Sequence, residues 1–311
     1  MRIGYACLNI TLGRKMRGLR LKTLRERGIT YVQGLVDENL ALTADILRWN
    51  REHDIAMFRL SSDIVPFGSH KEVDLTLLDF SHARDIPLLA EGMRLSLHPG
   101  QFTVISSAGS VWDNSYRELV YHNSLLDILG VDGDIVVHGG GIYGDREGTA
   151  RRIVENIALL PAEIRRRLRL ENDERAWSVR DLLPICEEAR LPLIVDNLHH
   201  ALNGAEPLAD LPWARIEATW DGRLPKAHYS EQDLSKQLGA HSAYVTAETF
   251  RRFRDDVGLE DVDVMLECKA KELALLRLRA DLKGLADAPG QRVITATTAA
   301  VYDSVVDEPS P

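Results

Sequence analysis

Cysteine is scarce in this chain. Cys7, Cys186 and Cys268 are the only three in 311 residues, too scattered for a thiolate metal site or an even set of disulfides. They read as buried thiols in a reducing cytoplasm. Long apolar runs are missing too: none approaches the ~18 residues that a membrane-spanning helix needs. The opening Met1-Arg-Ile-Gly-Tyr5 enters a strand at once, with no signal-peptide region. Nor is there a surplus of positive charge, since 38 Lys and Arg stand against 47 Asp and Glu for a formal net charge of −9. As an average this speaks against nucleic-acid binding, but an average misleads where basic residues cluster and acidic ones gather at a metal site. A glycine-rich phosphate turn after the first strand is also lacking: Leu8-Asn-Ile-Thr-Leu-Gly13 does not make one. That weighs against an open doubly wound sheet.

The basic residues that are present do cluster. Arg14, Lys15, Arg17, Arg20, Lys22, Arg25 and Arg27 fall in one stretch in which Glu26 is the one acid, and the stretch reads as a long basic loop. A second cluster, Arg165-Arg-Arg-Leu-Arg169, reads as the charged C-terminal turn of a helix.

Periodicity gives an alternation of strands and helices. Strands are expected at 2–9, Ile55–Leu60, Arg94–His98, Asp134–His138, Leu168–Asn172, Leu193–Asp196, Lys226–Tyr229 and Val262–Glu267. Helical spacing covers Glu38–His53, Glu72–Glu91 with a kink at Pro87, Trp112–Gly130, Glu147–Leu160, Val179–Arg190, Pro212–Trp220, Ala243–Val257 and Lys271–Leu285. The strands are apolar along their whole length, as strands buried on both faces of a parallel sheet are. Eight such units favour a closed barrel, so the fold expected is a single α/β TIM (β/α)8 barrel over residues 1–287. Residues 288–311 lack strong periodicity and read as an appended, partly ordered C-terminal extension.

Six successive strands each finish on a metal-competent side chain: His98, His138, Glu171, Asp196, His228 and Glu267. In a parallel barrel all the strand C-termini reach one mouth, so these groups would converge. Imidazole and carboxylate without thiolate suit zinc, manganese or iron. Six ligands are too many for one catalytic ion that needs an open position. They suggest two ions bridged by Glu171, central in the order, with His199 and His241 available for a third. Paired ions clamp the attacking and leaving oxygens of a phosphodiester and lower the pKa of bound water. Sugar isomerisation is the other use of such a pair, and the additional histidines and the basic loop tilt the reading towards phosphodiester hydrolysis.

Several segments together resemble the UV damage endonucleases. They are Tyr5 and Asn9, Arg59-Leu-Ser-Ser-Asp63, His98-Pro-Gly-Gln-Phe102, His138-Gly-Gly-Gly141, Leu170-Glu-Asn-Asp173, Asp196-Asn-Leu-His-His200, Lys226-Ala-His228 and Glu267-Cys-Lys-Ala-Lys271. The resemblance runs from residue 1 to about 285 and includes every strand end. That family is a TIM barrel related to the endonuclease IV family, and its members nick DNA immediately 5′ to UV photoproducts and other lesions, usually with manganese. The resemblance implies His98, His138 and Glu171 at one ion, Glu171, Asp196, His228 and Glu267 at a second, and His199 and His241 at a third. Lys226 matches a lysine close to the metals, an anionic ligand if carboxylated. Glu171, Lys226, His228 and Glu267 are then the expected catalytic residues. Gln101 and Phe102 match a Gln-Tyr pair that pushes into the duplex at the lesion; phenylalanine keeps the stacking face and loses the hydroxyl. Tyr5 and Asn9 would lie in the mouth against the flipped lesion, with Arg14, Lys15 and Arg17 on the DNA.

The expected protein is thus a metal-dependent DNA repair endonuclease. It would carry two or three divalent ions, manganese foremost and zinc as the substitute, and act as a cytoplasmic, nucleoid-associated monomer on damaged double-stranded DNA. No obligate protein partner and no membrane are implied. An abasic-site nuclease, a sugar isomerase and a non-catalytic damage binder are the competing readings; binding alone has no need of bridged metals.

Overall fold

Short strands with apolar residues on both faces have no side to offer water, and they pair only with each other. In the computed structural model, which describes residues 1–284, eight of them form a closed barrel in chain order. They are β1 (Ile3–Ala6), β2 (Met57–Arg59), β3 (Arg94–Leu97), β4 (Asp134–His138), β5 (Leu168–Glu171), β6 (Leu193–Asp196), β7 (Lys226–Tyr229) and β8 (Asp263–Leu266). Every pairing is parallel. β8 closes the ring on β1 with Ile3 opposite Val264 and Tyr5 opposite Leu266. The single TIM barrel is therefore the fold, and the extension at 288–311 lies outside the described residues.

Around the barrel run α1 (Leu21–Glu52), α2 (Ile86–Leu89), α3 (Gly109–Ile128), α4 (Arg146–Leu159), α5 (Ala162–Arg167), α6 (Val179–Ala189), α7 (Asn197–Asn203), α8 (Trp213–Ala218), α9 (Ala247–Asp256) and α10 (Lys271–Leu282). Two segments differ from expectation. Half of the basic stretch is helical, because α1 begins at Leu21 and bends at Gly28, whose φ of +68° a side chain would resist. The expected helix at Glu72–Glu91 is instead two 3₁₀ turns and the four-residue α2. Asp74 accepts from the Thr76 amide and Asp79 from the Ser81 amide, both at 2.9 Å, local bonds that compete with a helix. Gln33 of α1 fixes Asp79 by its amide at 2.7 Å and its carbonyl at 2.8 Å. Where capping is complete, the expectation holds. α6 starts at a capping box in which Ser178 and Asp181 bond one another's amides.

Most of the apolar core lies between strands and helices, with Tyr5, Leu97, Val137, Leu170, Val195 and Leu266 among its members. Alternate residues point inward. There Ala6, Met57 and Met265 form a separate apolar cluster, as do Val136, Ile194 and Trp220. Gly4 belongs to this crowded interior, since a Cβ would stand 2.5 Å from the Met57 carbonyl oxygen. Below the apolar layer is a charged one of Arg94, Asp134, Arg169, Lys226 and Asp263, joined through Asp134 and Asp263. Above it is the mouth.

Candidate metal centre

The register decides which side chains meet at the mouth. His138 lies opposite Glu171 and Asp196 opposite His228, so these four residues end adjacent inward-facing positions. His98 and Glu267 follow β3 and β8 by one residue. Two donor groups result: His98, His138 and Glu171 in one, and Glu171, Asp196, His228 and Glu267 in the other. Within each group the candidate ligand atoms lie no more than 4.8 Å from one another. Glu171 belongs to both. Its Oε2 is 3.0 Å from His98 Nε2 and its Oε1 is 2.9 Å from His228 Nδ1.

The fit to cations can be judged from the groups themselves. Three carboxylates, Glu171, Asp196 and Glu267, share one largely buried site. Unpaired buried charge is costly. His138 Nδ1, Glu171 Oε1 and Asp196 Oδ2 are buried with no aligned hydrogen bond, which is unusual in a folded protein and is what a ligand atom awaiting an ion looks like. Burial, followed by the charges of Glu171 and Glu267, outweighs the attraction of the His199 ring and raises the Asp196 carboxyl above its ordinary value. Burial acts in the same upward sense on Glu171, but there the His228 and His138 rings prevail and hold the carboxyl well below the usual range. Burial also pushes His228 down to about 4 and lowers His138. Both rings are therefore neutral near pH 7, the form that binds a metal. This donor set, nitrogen and oxygen without sulfur, is suited to divalent ions such as zinc or manganese.

His199 and His241 stand beside these groups. The His199 ring centroid is 5.3 Å from that of His138 and 6.3 Å from that of His241. Their Nδ1 atoms bond the carbonyls of Asn172 at 3.0 Å and Glu267 at 2.9 Å, which leaves each Nε2 as the atom available to a ligand. Neither joins the two donor groups. His200 turns away, its Nε2 3.0 Å from the Glu206 carbonyl oxygen.

Three expected site residues sit elsewhere. Lys226 opens β7 rather than ending it, and its Nζ is 3.0 Å from Asp134 Oδ2 in the charged layer beneath. A carboxylated lysine there would set an anion against an aspartate, so the surroundings fit an ammonium. Tyr5 points outward into the strand–helix layer, fully buried, and its hydroxyl donates to Asn50 Oδ1 of α1 at 2.7 Å. Asn9 is buried as well and donates to the Tyr5 hydroxyl at 3.0 Å. Period-two alternation is the reason: Ala6, not Tyr5, shares the inward face of β1. Gln101 and Phe102, by contrast, stand in the open after β3, with Phe102 73% exposed. In the basic segment, Arg14 pairs with Asp45 and Arg17 with Glu38, so that stretch is less cationic in space than in sequence. Lys15 is exposed.

Two residues of the site carry no role that the sequence reveals. Arg59, which ends β2, donates to Glu267 Oε1 and lies 3.4 Å from His228 Nε2. Its signal is present, for β2 is the strand between β1 and β3 that ends on a cation instead of a ligand. Asn172 accepts the Asp196 amide at 2.8 Å and donates to its carbonyl at 3.1 Å, locking β6 beside β5. Nothing in the spacing distinguishes that asparagine from an ordinary loop residue.

The chain is similar to several known proteins. The family described as UV-endonuclease UvdE matches residues 1–295. A UV DNA damage endonuclease of Clostridium perfringens is 33% identical over 295 residues, 91% of this chain and 71% of that one. One from Bacillus cereus is 35% identical over 260 residues, 80% of this chain and 82% of its own. Among solved structures, SacUVDE superposes with a TM-score of 0.83 at 37% identity, covering 92% of this chain and 99% of its own. Endonuclease IV from Thermus thermophilus superposes at 0.59 with 17% identity, covering 91% of this chain and 100% of its own, a likeness of fold.

Proposed function

The chain belongs to the UV-endonuclease UvdE family, and from that premise we propose that this DNA repair endonuclease nicks the backbone of damaged duplex DNA immediately 5′ to UV photoproducts and other lesions, with manganese in its two donor groups. The observation that carries the reading is the sharing of Glu171 by both groups. A carboxylate common to both groups could serve two ions at once, and paired ions suit an in-line displacement at phosphorus. His98, His138 and Glu171 would hold one ion and Glu171, Asp196, His228 and Glu267 the other, while His199 and His241 would serve a third. Bound there, the ions would supply Lewis acidity and a water of lowered pKa.

The protein's own side chains do the rest. Neutral His138 and His228 keep their lone pairs free because burial disfavours their protonation. Asn172 holds the Asp196 backbone, and the His199 amide bonds Asp196 Oδ1 at 2.8 Å, so this carboxylate cannot swing out of the mouth. Gln101 and Phe102 reach into solvent from the same rim. An exposed aromatic costs solvation unless it meets a partner, and an unstacked damaged base pair is such a partner. We place the lesion contact on these two residues; Tyr5 and Asn9 act on it only through the wall they build. Lys15, with Arg14 and Arg17 beside it, would meet the phosphate backbone.

The protein would act as a cytoplasmic monomer on the nucleoid. Among the described residues no helix is long and apolar enough to cross a membrane. The test is nicking of a duplex with one defined photoproduct after chelation, then after adding back manganese or zinc, beside an abasic duplex. Loss and recovery of a single nick 5′ to the photoproduct is expected, with manganese the better restorer. Cleavage of the abasic duplex alone would overturn the lesion assignment, and nicking that survives chelation would overturn the metal assignment.

A further inference from the structure

At the opposite end of the barrel from the mouth, the strand N-termini surround a cavity of about 350 Å³ whose wall carries six arginines and two aspartates. Asp132 is taken up by Arg166 at 2.8 Å and Arg167 at 3.0 Å. Asp134 is shared by Lys226 at 3.0 Å, Arg169 at 2.8 Å and Arg94 at 3.5 Å. Arg223 has no carboxylate partner among the described residues; its Nε donates to the Trp220 carbonyl at 3.2 Å, and the residue is exposed. Asp263 pairs with Arg94 at 3.0 Å and Arg2 at 3.4 Å, and Asp127 with Arg167 at 2.7 Å, which leaves Arg223 as the wall arginine without an acid among the described residues.

The arrangement is built rather than incidental. Trp220 is buried, and the guanidiniums of Arg94 and Arg169 lie over its ring at 5.2 and 5.7 Å from the centroid. Its indole N–H is anchored to the Leu193 carbonyl at 3.0 Å. Stacking of this kind fixes the plane of a guanidinium and so fixes where its N–H groups aim. Arg169 is 5% exposed, and although its terminal nitrogens bond Asp134 and the carbonyls of Arg166 and Leu168, its Nε is buried with no partner at all. A buried N–H of a charged group without an acceptor is rare and calls for a partner, of which a bound ion is one kind.

We infer that this floor cavity is a second anion site, in which Arg94, Arg169 and Arg223 receive a phosphoryl group. A planar guanidinium fork pairs with phosphate oxygens bidentately, and a tetrahedral phosphoryl group has enough oxygens to meet more than one such fork at once. The volume leaves room for a sugar attached to that phosphate. The phosphoryl group is free inorganic phosphate or the terminal 5′-phosphate of a nucleotide or DNA end. The site is separate from the metal centre and does not depend on the reading of that centre.

The test uses the full-length, manganese-loaded protein and two probes, inorganic phosphate and a 5′-phosphorylated dinucleotide, each titrated by calorimetry. Arg223→Ala is the variant, because Arg223 is exposed and its removal leaves the barrel packed. It should weaken one binding event about tenfold or more, while melting temperature and nicking at the other end stay as they were. The same event should persist in Glu171→Gln, which separates it from phosphate held at the mouth. Tighter binding of the dinucleotide assigns the site to a nucleic-acid end; phosphate binding alone assigns it to the free ion, and either supports a phosphoryl site. If Arg223→Ala leaves every event unchanged with both probes, or if the Arg223-dependent event disappears in Glu171→Gln, there is no phosphate site on the barrel floor.

Discussion

The Arg59 guanidinium donates to the Glu267 carboxylate across the mouth of the barrel, joining the end of β2 to the end of β8. The contact puts a cation where the second donor group would hold an ion, beside His228 and within the field of Glu171. Arg59 therefore neutralises the carboxylates when no ion does so, and a bound ion must share Glu267 with it. Arg59→Leu should destabilise the chelated protein by about 3–5 kcal/mol, the usual cost of leaving one partner of a buried pair alone. With saturating manganese the loss should be much smaller, since the ion takes over the compensation. Urea unfolding with chelator and with manganese measures both, and an equal loss in the two would show that Arg59 is only a packing residue.

Glu171→Gln tests the shared ligand itself. Glutamine keeps the volume but offers a neutral oxygen and an N–H, which cannot bridge two cations. Nicking should fall about 10³-fold or more, the several kcal/mol that metal charge stabilisation supplies. Bound metal measured after desalting should fall with it, because both groups lose a charged ligand. A variant that holds as much metal as the parent and still nicks at the parent rate removes Glu171 from the centre.

Much of this centre can be read from the chain because the information is local. A strand of about four residues leaves no doubt over which residue is last, and in a parallel barrel the last residue has one place to go. His98, His138, Glu171, Asp196, His228 and Glu267 are legible this way and meet at the mouth. Lys226 and Tyr5 show where such reading fails. Lys226 faces inward as His228 does, two residues earlier, and that offset drops it into the layer of Asp134. Tyr5 is one residue out of phase with the inward-facing Ala6 and packs 5.0 Å from the Phe58 ring. The loop at Glu72–Glu91 escapes for another reason: apolar spacing suggests a helix, while the aspartates that close the turns and the Gln33 clamp act through contacts that spacing does not report.

Phe102 offers a separation of function from stability. At 73% exposure it contributes little to the fold, so Phe102→Ala should leave the melting temperature nearly unchanged. If the ring stacks at the lesion, the specificity constant on a photoproduct duplex should fall by about 10-fold or more, in line with the ~1–3 kcal/mol of a base–aromatic stack. Phe102→Tyr should retain or improve activity. Comparing the two variants in one nicking assay checks this, and an alanine variant as active as the parent would place the wedge elsewhere.

The charged layer under the mouth gives a pH signature. Burial lowers the Lys226 ammonium to about 8 from its usual 10.5, against the pull of Asp134. Between those two values the unfolded chain binds more protons at this position than the folded one does, so the contribution of Lys226 to stability rises with pH and is flat below about 8. The gain is at most about 3 kcal/mol over that window. Tyrosines and thiols titrate in the same range with the opposite sign, their folded values being raised by burial, and the comparison must therefore be made against Lys226→Met. Asp134 keeps Arg169 and Arg94 in that variant, so it is not left unpaired and the barrel should fold. Chemical denaturation from pH 7 to 10.5 should show the parent gaining on the variant as the pH passes 8, in metal-loaded and chelated protein alike. Parallel pH profiles would mean that Lys226 carries no titrating ammonium, the result expected of a carboxylated side chain.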